Sequence, residues 1–263
     1  MMNAIRRFCS QAIIDGKATT GAFDLVEFVS YKAGYALLSL CFYCVVAAFA
    51  YGQVDLTRWV VGNAFTLCTA ECVFNLGATF TRERNYGRLK TIFAAPTNKL
   101  AVVLASGVFP IGIAFLTIAL GFVAGGLIFG VSFSNLNIPL FALSILAATF
   151  ATAGLGLFVS VFALLSDSIH LILNTVALLV MIFSGANFAV SQLPGIFQGV
   201  AFVFPLNRSI RAANLCFSPS IGGEFWGLLL GEVLLGLCFF VAAFALLKSI
   251  ERLAVRWATL DRF

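Results

Sequence analysis

Long apolar runs, each near the length that crosses a bilayer, are separated along this chain by short polar or charged segments. A helix needs about 20 apolar residues to span the hydrocarbon. The spacing predicts six transmembrane helices, near 33–52, 58–80, 100–130, 138–165, 169–190 and 226–248. The third and fourth are long enough to be tilted, kinked or extended beyond the lipid. The fourth–fifth boundary rests on the polar patch Ser166-Asp167-Ser168. Barrel strands would show short alternating segments instead, so the pattern predicts an all-α polytopic membrane protein.

Before the first span, Phe23, Leu25, Val26, Phe28 and Val29 come in pairs or singly between Asp24, Glu27 and Ser30, which recur every third position. That narrow polar stripe predicts an amphipathic helix lying in the interface. A small soluble cap is the alternative, but the chain offers little for it to pack on. The expected organisation is an N-terminal segment 1–32, a six-span domain 33–248 and a basic tail 249–263. No compact apolar core with a small-residue cleavage site is visible in the first 30 residues, so no cleavable signal peptide is expected.

Two interruptions stand out. The segment 82–99, RERNYGRLKTIFAAPTNK, packs Arg82, Glu83, Arg84, Arg88 and Lys90 between two apolar runs. Charge at the bilayer centre costs about 3 kcal/mol per residue, so this island must lie outside the lipid. With Gly87 and Pro96 as breakers, it predicts a short helix on the membrane surface, available to a soluble partner. Glu83, near the first turn of such a helix, could cap it. The second interruption, 191–212, contains Pro194, Gly195, Gly199 and Pro205 around an apolar centre, Ile196 to Phe204. Nine residues cannot cross the hydrocarbon, and a free loop would be less apolar. A re-entrant or interfacial pair of short helices is expected, with a loop resting on the headgroups as the alternative.

Composition agrees: 61% of the 263 residues are hydrophobic and 10% charged, with mean hydropathy +1.04. Soluble domains are nearer one-quarter charged. The net charge of +5 could suggest nucleic acid, but the positions of the cations argue otherwise. With the N-terminus inside, only Arg58, Arg208 and Arg211 fall outside, and the remaining Lys and Arg fall on inner segments. That bias predicts a multi-pass protein of the cell (inner or plasma) membrane with both termini cytoplasmic. The seven cysteines make no paired metal pattern. Cys41 and Cys44 form one CxxC within an apolar run, and the odd count gives no disulfide framework.

Polar residues inside spans are few. Cys68, Glu71, Cys72, Asn75 and Thr79 share one face of the second span on a 3.6-residue wheel. Such a stripe faces a bundle interior or a water-filled pathway, or else Glu71 is simply hydrogen-bonded to a neighbouring helix. His170, Asn174, Ala177, Met181, Ser184 and Phe188 share a face of the fifth span, which fits a helix seam or a pathway wall equally. His170, the one histidine, reads as capping or packing. Glu232, early in the sixth span, reads as solvated near the outer interface. Gly121/Gly125, Gly126/Gly130 and Gly227/Gly231 read as helix-packing pairs. The sequence has no Walker-type phosphate loop, no HExxH and no GxSxG, so neither ATP binding by this chain nor catalysis is expected.

Two blocks together resemble ABC-2 type transporter permeases. The 82–99 island is similar to that family's E-R-E-x-G-x-L-x-x-L-x-x-x-P segment, through Glu83, Gly87, Leu89 and Pro96. The stretch FSGANFAVSQLPGIFQGVAFVFPLNRSIRA is similar to its late block, through Ser184, Gly185, Leu193, Pro194, Pro205, Leu206 and Arg211. The resemblance implies a permease that dimerises with a second copy or a related permease. It rests on two copies of a separate P-loop ABC ATPase, which holds ATP and Mg, so no cofactor is expected in this chain. It further implies that 82–99 is a coupling helix (Glu83, Arg84, Gly87, Arg88, Leu89, Lys90, Pro96) and that the amphipathic helix also contacts the ATPase. First and fifth spans would meet across the dimer.

Substrates of such permeases are drugs, antibiotics, peptides, lipids or polysaccharide precursors, usually moved outward, and this island looks more like that of the drug and antibiotic exporters. Glu71, Asn75, Asn174, Met181 and Phe188 would border the translocation pathway, and Pro194, Pro205 and Arg211 an outer gate. Many relatives carry an acid after a Gly-Thr-Leu; this chain has Gly87-Arg88-Leu89-Lys90, which implies a more acidic groove on the ATPase. The competing reading is a secondary carrier or channel that uses Glu71 as an ion or proton site, although internal inverted repeats are not evident.

Overall fold

A computed structural model describes residues 25–52, 56–87, 99–133, 135–162, 168–218 and 222–256; for 25–33, 35, 51, 99–104, 106, 251 and 253–256 it describes the backbone alone. The described residues contain helices and no strand. In chain order the helices are α1 (Leu25–Tyr51), α2 (Thr57–Asn85), α3 (Lys99–Phe129), α4 (Ile138–Phe162), α5 (Ile169–Phe183), α6 (Gly195–Ala201), α7 (Asn207–Leu215) and α8 (Gly223–Arg256). Four of them are long and apolar enough to cross a membrane: α2, α3 from Gly107, α4, and α8 as far as Ile250. Leu38, Phe42, Phe49, Leu116, Leu127, Leu230 and Val241 point outward from α1, α3 and α8. An apolar rim of that extent belongs in lipid rather than water.

α4 is the hub. It packs along α8, against the middle of α2 and against α7, while α1 leans on α3 and the start of α2. Small residues set these distances. A Cβ at Gly156 would overlap the carbonyl of Cys72, and one at Gly154 would come within 2.8 Å of the Gly236 carbonyl. The glycines that bring helix backbones together here are therefore Gly154, Gly156 and Gly236. Gly227 and Gly130 have open space around them, so two of the three expected packing pairs are not close crossings at both positions.

Several expected boundaries shift. α2 does not stop at residue 80. It runs through Arg82, Glu83 and Arg84 to Asn85, because Arg and Glu are good helix formers, and the turn at Tyr86–Gly87 ends it. Gly87 is left-handed (φ 67°) and its amide returns to the Arg84 carbonyl at 2.9 Å. Glu83 therefore lies in a last turn, not a first one, and cannot cap a surface helix there; Arg82 and Arg84 suit that negative helix end. Lys99 already belongs to α3. Arg88, Leu89, Lys90 and Pro96 lie outside the described residues.

The expected interfacial helix over 18–32 falls partly outside them too; from Leu25 the chain is one helix through Tyr51. α5 ends at Phe183 after 15 residues, where Ser184 Oγ donates to the Met181 carbonyl (3.0 Å) and accepts from the Ala186 amide (3.3 Å). Gly185 then turns left-handed at φ 76°. Phe188 is consequently off the helix and shares no face with Asn174 and Met181. α8 continues past the expected end of the sixth span at 248 through Arg256, and 257–263 lie outside the described residues.

Candidate functional site

The middle of α2 departs from α geometry. Ala70–Leu76 forms a π-helical segment, a feature that widens the turn and leaves backbone groups without their usual partners. Those groups are taken up by side chains. The Asn75 carbonyl accepts from Arg82 Nη2 at 3.1 Å and from Thr79 Oγ1 at 3.4 Å, and the Phe80 amide donates to Ser160 Oγ of α4 at 3.2 Å. Glu71 is buried within the segment, and its Oε2 accepts from Asn75 Nδ2 at 2.6 Å. Cys68 Sγ reaches Thr152 Oγ1 at 3.6 Å and Cys72 Sγ the Thr149 carbonyl at 3.8 Å. The two cysteines of the α2 stripe thus face α4 inside the protomer.

The residues of α5 read as a pathway wall go separate ways. Asn174 is exposed, its amide returning to the His170 carbonyl at 2.8 Å. Met181 is half-buried and its sulfur accepts from Tyr43 of α1 at 3.1 Å. His170 itself is exposed. None of Glu71, Asn75, Asn174 and Met181 lines the cavity described below.

About 40 Å along α2 from Gly87, given 1.5 Å rise per residue, lies a second polar region. The chain from Ser184 to Phe217 forms a short 3-10 turn (Val190–Gln192) and the two helices α6 and α7. Pro194 is the exposed residue before α6; Pro205 is buried just before α7. Trp59 Nε1 of α2 donates to the Asn187 carbonyl at 3.2 Å, and Asn137 N to the Cys216 carbonyl at 3.0 Å, so both ends of this stretch are tied to spans. Phe122, Phe133, Phe141 and Phe217 pack beside it, the closest ring pair 4.4 Å between centroids.

Between α6, α7 and the starts of α2 and α8 opens a cavity of about 580 Å³. Its polar lining includes Arg58, Gln198, Asn207, Arg211, Asn214 and Glu224. Arg211 Nη2 pairs with Glu224 Oε1 at 3.1 Å, both half-exposed to solvent. Cys216, behind α7, has its thiol pushed up to about 11 by burial, which makes it a packing residue and not a nucleophile.

The expectation of a solvated Glu232 does not hold. It is fully buried, not solvated, and its Oε1 accepts from the Leu206 amide at 2.6 Å. Depth along the helix carried the signal: nine residues into α8, about 13 Å from its start, is too deep for the interface.

The comparisons with known proteins agree with this architecture. The chain matches the ABC-2 type transporter family over residues 28–218 and belongs to that family. It is 24% identical over 171 residues to the inner membrane transport permease YhhJ of Escherichia coli (strain K12), and to the same degree to YhhJ of Shigella flexneri. Each match takes in 64% of this chain and 45% of the relative, so the chain spans about half the length of the curated relatives it matches. The protein is a multi-pass membrane transporter component.

Proposed function

We propose that this chain is the membrane-spanning subunit of an ATP-binding cassette exporter. It would move an amphiphilic or hydrophobic substrate (a drug, antibiotic, peptide or lipid-like molecule) outward. Energy comes from two copies of a separate P-loop ATPase holding ATP and Mg, and a second permease copy or a related permease completes the transmembrane pathway. The Gly87 end faces the cytoplasm with both termini, and the α6–α7 end faces out.

The observation that carries this reading is the layout of α2. One helix links a charged turn built for contact in water, Glu83 to Gly87, with a polar cavity at its far end. Glu83, Arg84 and Gly87, with Arg88, Leu89, Lys90 and Pro96 beyond them, receive the ATPase. Glu71, Asn75, Asn174 and Met181 border the route once two permeases assemble. Pro194, Pro205 and Arg211 shape the outer gate.

The test is co-expression with a candidate P-loop ABC ATPase. Glu83→Ala and Gly87→Leu should leave permease in the membrane while substrate-stimulated ATP hydrolysis and export fall. Arg88→Ala alone should do much less, since one exposed ion pair contributes only about 0–1 kcal/mol. Full export by both Glu83 and Gly87 variants would contradict the proposal. Ion-driven transport without the ATPase, abolished by Glu71→Gln, would establish the carrier reading instead.

A further inference from the structure

α7 starts from a backbone that its own sequence does not favour. Leu206, the residue before it, sits at φ 80°, the one non-glycine with positive φ among the described residues. Such a conformation persists only where the surroundings hold it. Leu206 has no side-chain oxygen to cap the helix. Its carbonyl accepts the first helical bond, from the Ile210 amide at 2.8 Å, and its own amide donates to Glu232 of α8. The carboxylate thus stands at the positive end of a nine-residue helix, where a negative charge is favoured.

Nearby residues on both sides complete the seat. Arg208 lies over Gly231: a Cβ there would meet its Cδ at 3.0 Å and its Nε at 3.2 Å. Arg208 Nη2 donates to the Phe202 carbonyl at 3.0 Å, with the guanidinium carbon 5.6 Å from the Phe202 ring centre. The Arg208 guanidinium and amide and the Ser209 hydroxyl also face the Glu232 carboxylate at this corner.

The two short helices are held very differently. α7 packs on α8, α4 and the start of α2, whereas the main neighbour of α6 is the Val190–Gln192 turn. Only Ala201 of α6 is buried, and Ile196 is 83% exposed. The cavity lies between them, with Gln198 and Phe202 on one wall and Asn207 and Arg211 on the other.

We infer that Glu232 is a positioning residue for transport. Its carboxylate clamps the Leu206 amide so that α7 stays with the spans while α6 swings about residues 202–206 to open and close the cavity. Glu232 lies beyond the family match, which ends at 218. The clamp itself stands on the geometry; its role in export rests on the reading proposed above.

Two near-isosteric variants separate reach from charge. Glu232→Gln keeps an oxygen within reach of the Leu206 amide and loses the charge. Glu232→Asp keeps the charge and withdraws the oxygen by one methylene. Amide hydrogen exchange is read on the full chain in lipid nanodiscs, over 202–215, with α4 as internal reference. Glu232→Asp should speed exchange of the first turn of α7 by about tenfold, the loss of one buried hydrogen bond, and Glu232→Gln should stay near wild type. Equal exchange in all three proteins, or faster exchange in Gln than in Asp, overturns the clamp.

In vesicles carrying the ATPase complex, Glu232→Asp should lower the maximal export rate with an unchanged apparent KM and unchanged bound ATPase, and Glu232→Gln should restore it. Unaltered export by Glu232→Asp despite faster exchange would refute the role in transport. Absence of ATP-driven export from wild type would count against the exporter reading, while the exchange result would still decide the clamp.

Discussion

Glu71 and Glu232 are both carboxylates buried inside spans, and the protein deals with them in opposite ways. Glu71 is met by its own helix: Asn75, one π-widened turn away, donates to it. Glu232 is met by backbone from another element, 26 residues earlier in the chain. A local partner moves with its acid, so the Glu71–Asn75 bond constrains α2 alone. A distant partner ties two bodies together, so the Glu232 region fixes how α7 sits on α8. Burying an unpaired acid would cost several kcal/mol, and each solution avoids that while setting a different mechanical constraint.

Substitutions around the two acids should separate these roles, and unfolding can be followed by a thiol-reactive dye because Cys44, Cys68, Cys72 and Cys216 are buried. The largest effect is expected at Gly156, whose missing side chain lets α4 press on the Cys72 carbonyl beside Glu71. Gly156→Val must push two backbones apart and should cost about 3 kcal/mol or more, seen as loss of monodisperse protein. A folded, stable Gly156→Val would mean that α2 and α4 are not so close.

Glu232→Ala comes next, at about 1–3 kcal/mol for the orphaned Leu206 amide. Glu71→Leu should cost less, about 1 kcal/mol, because the half-buried Asn75 can turn elsewhere. If Glu71→Leu proves the more damaging of the two, the contrast between local and distant partners fails. Gly87→Ala should cost about 1 kcal/mol from its left-handed backbone, with nothing within 4 Å of an added Cβ. Arg211→Ala, breaking a pair exposed on both sides, should cost under about 1 kcal/mol.

The same contrast governs what could be read from the chain beforehand. Polar spacing on a single helix marked Glu71 with Asn75, since both lie four residues apart on one element. Long apolar runs located the helices, because burial in lipid imposes a length. The ends were misjudged where a local turn decided the outcome. Gly185 cuts α5 short and removes Phe188 from it, and good helix formers carry α2 past the lipid to Gly87. The bond between Glu232 and Leu206 left no trace in spacing, because a backbone amide donates whatever its side chain is. The π segment was equally hidden, since a 3.6-residue wheel presumes the geometry that Ala70–Leu76 abandons.

The central claim is that the charged end of α2 receives an ATPase, and a photo-crosslinking residue at Asn85 tests it most directly. Asn85 is exposed at the last helical position before the Gly87 turn. Irradiation of membranes should yield a covalent adduct between this chain and the P-loop subunit, with none from the same crosslinker at Gln198 beside the far cavity. An adduct from Gln198 and none from Asn85, in membranes where the ATPase is present, would contradict the account.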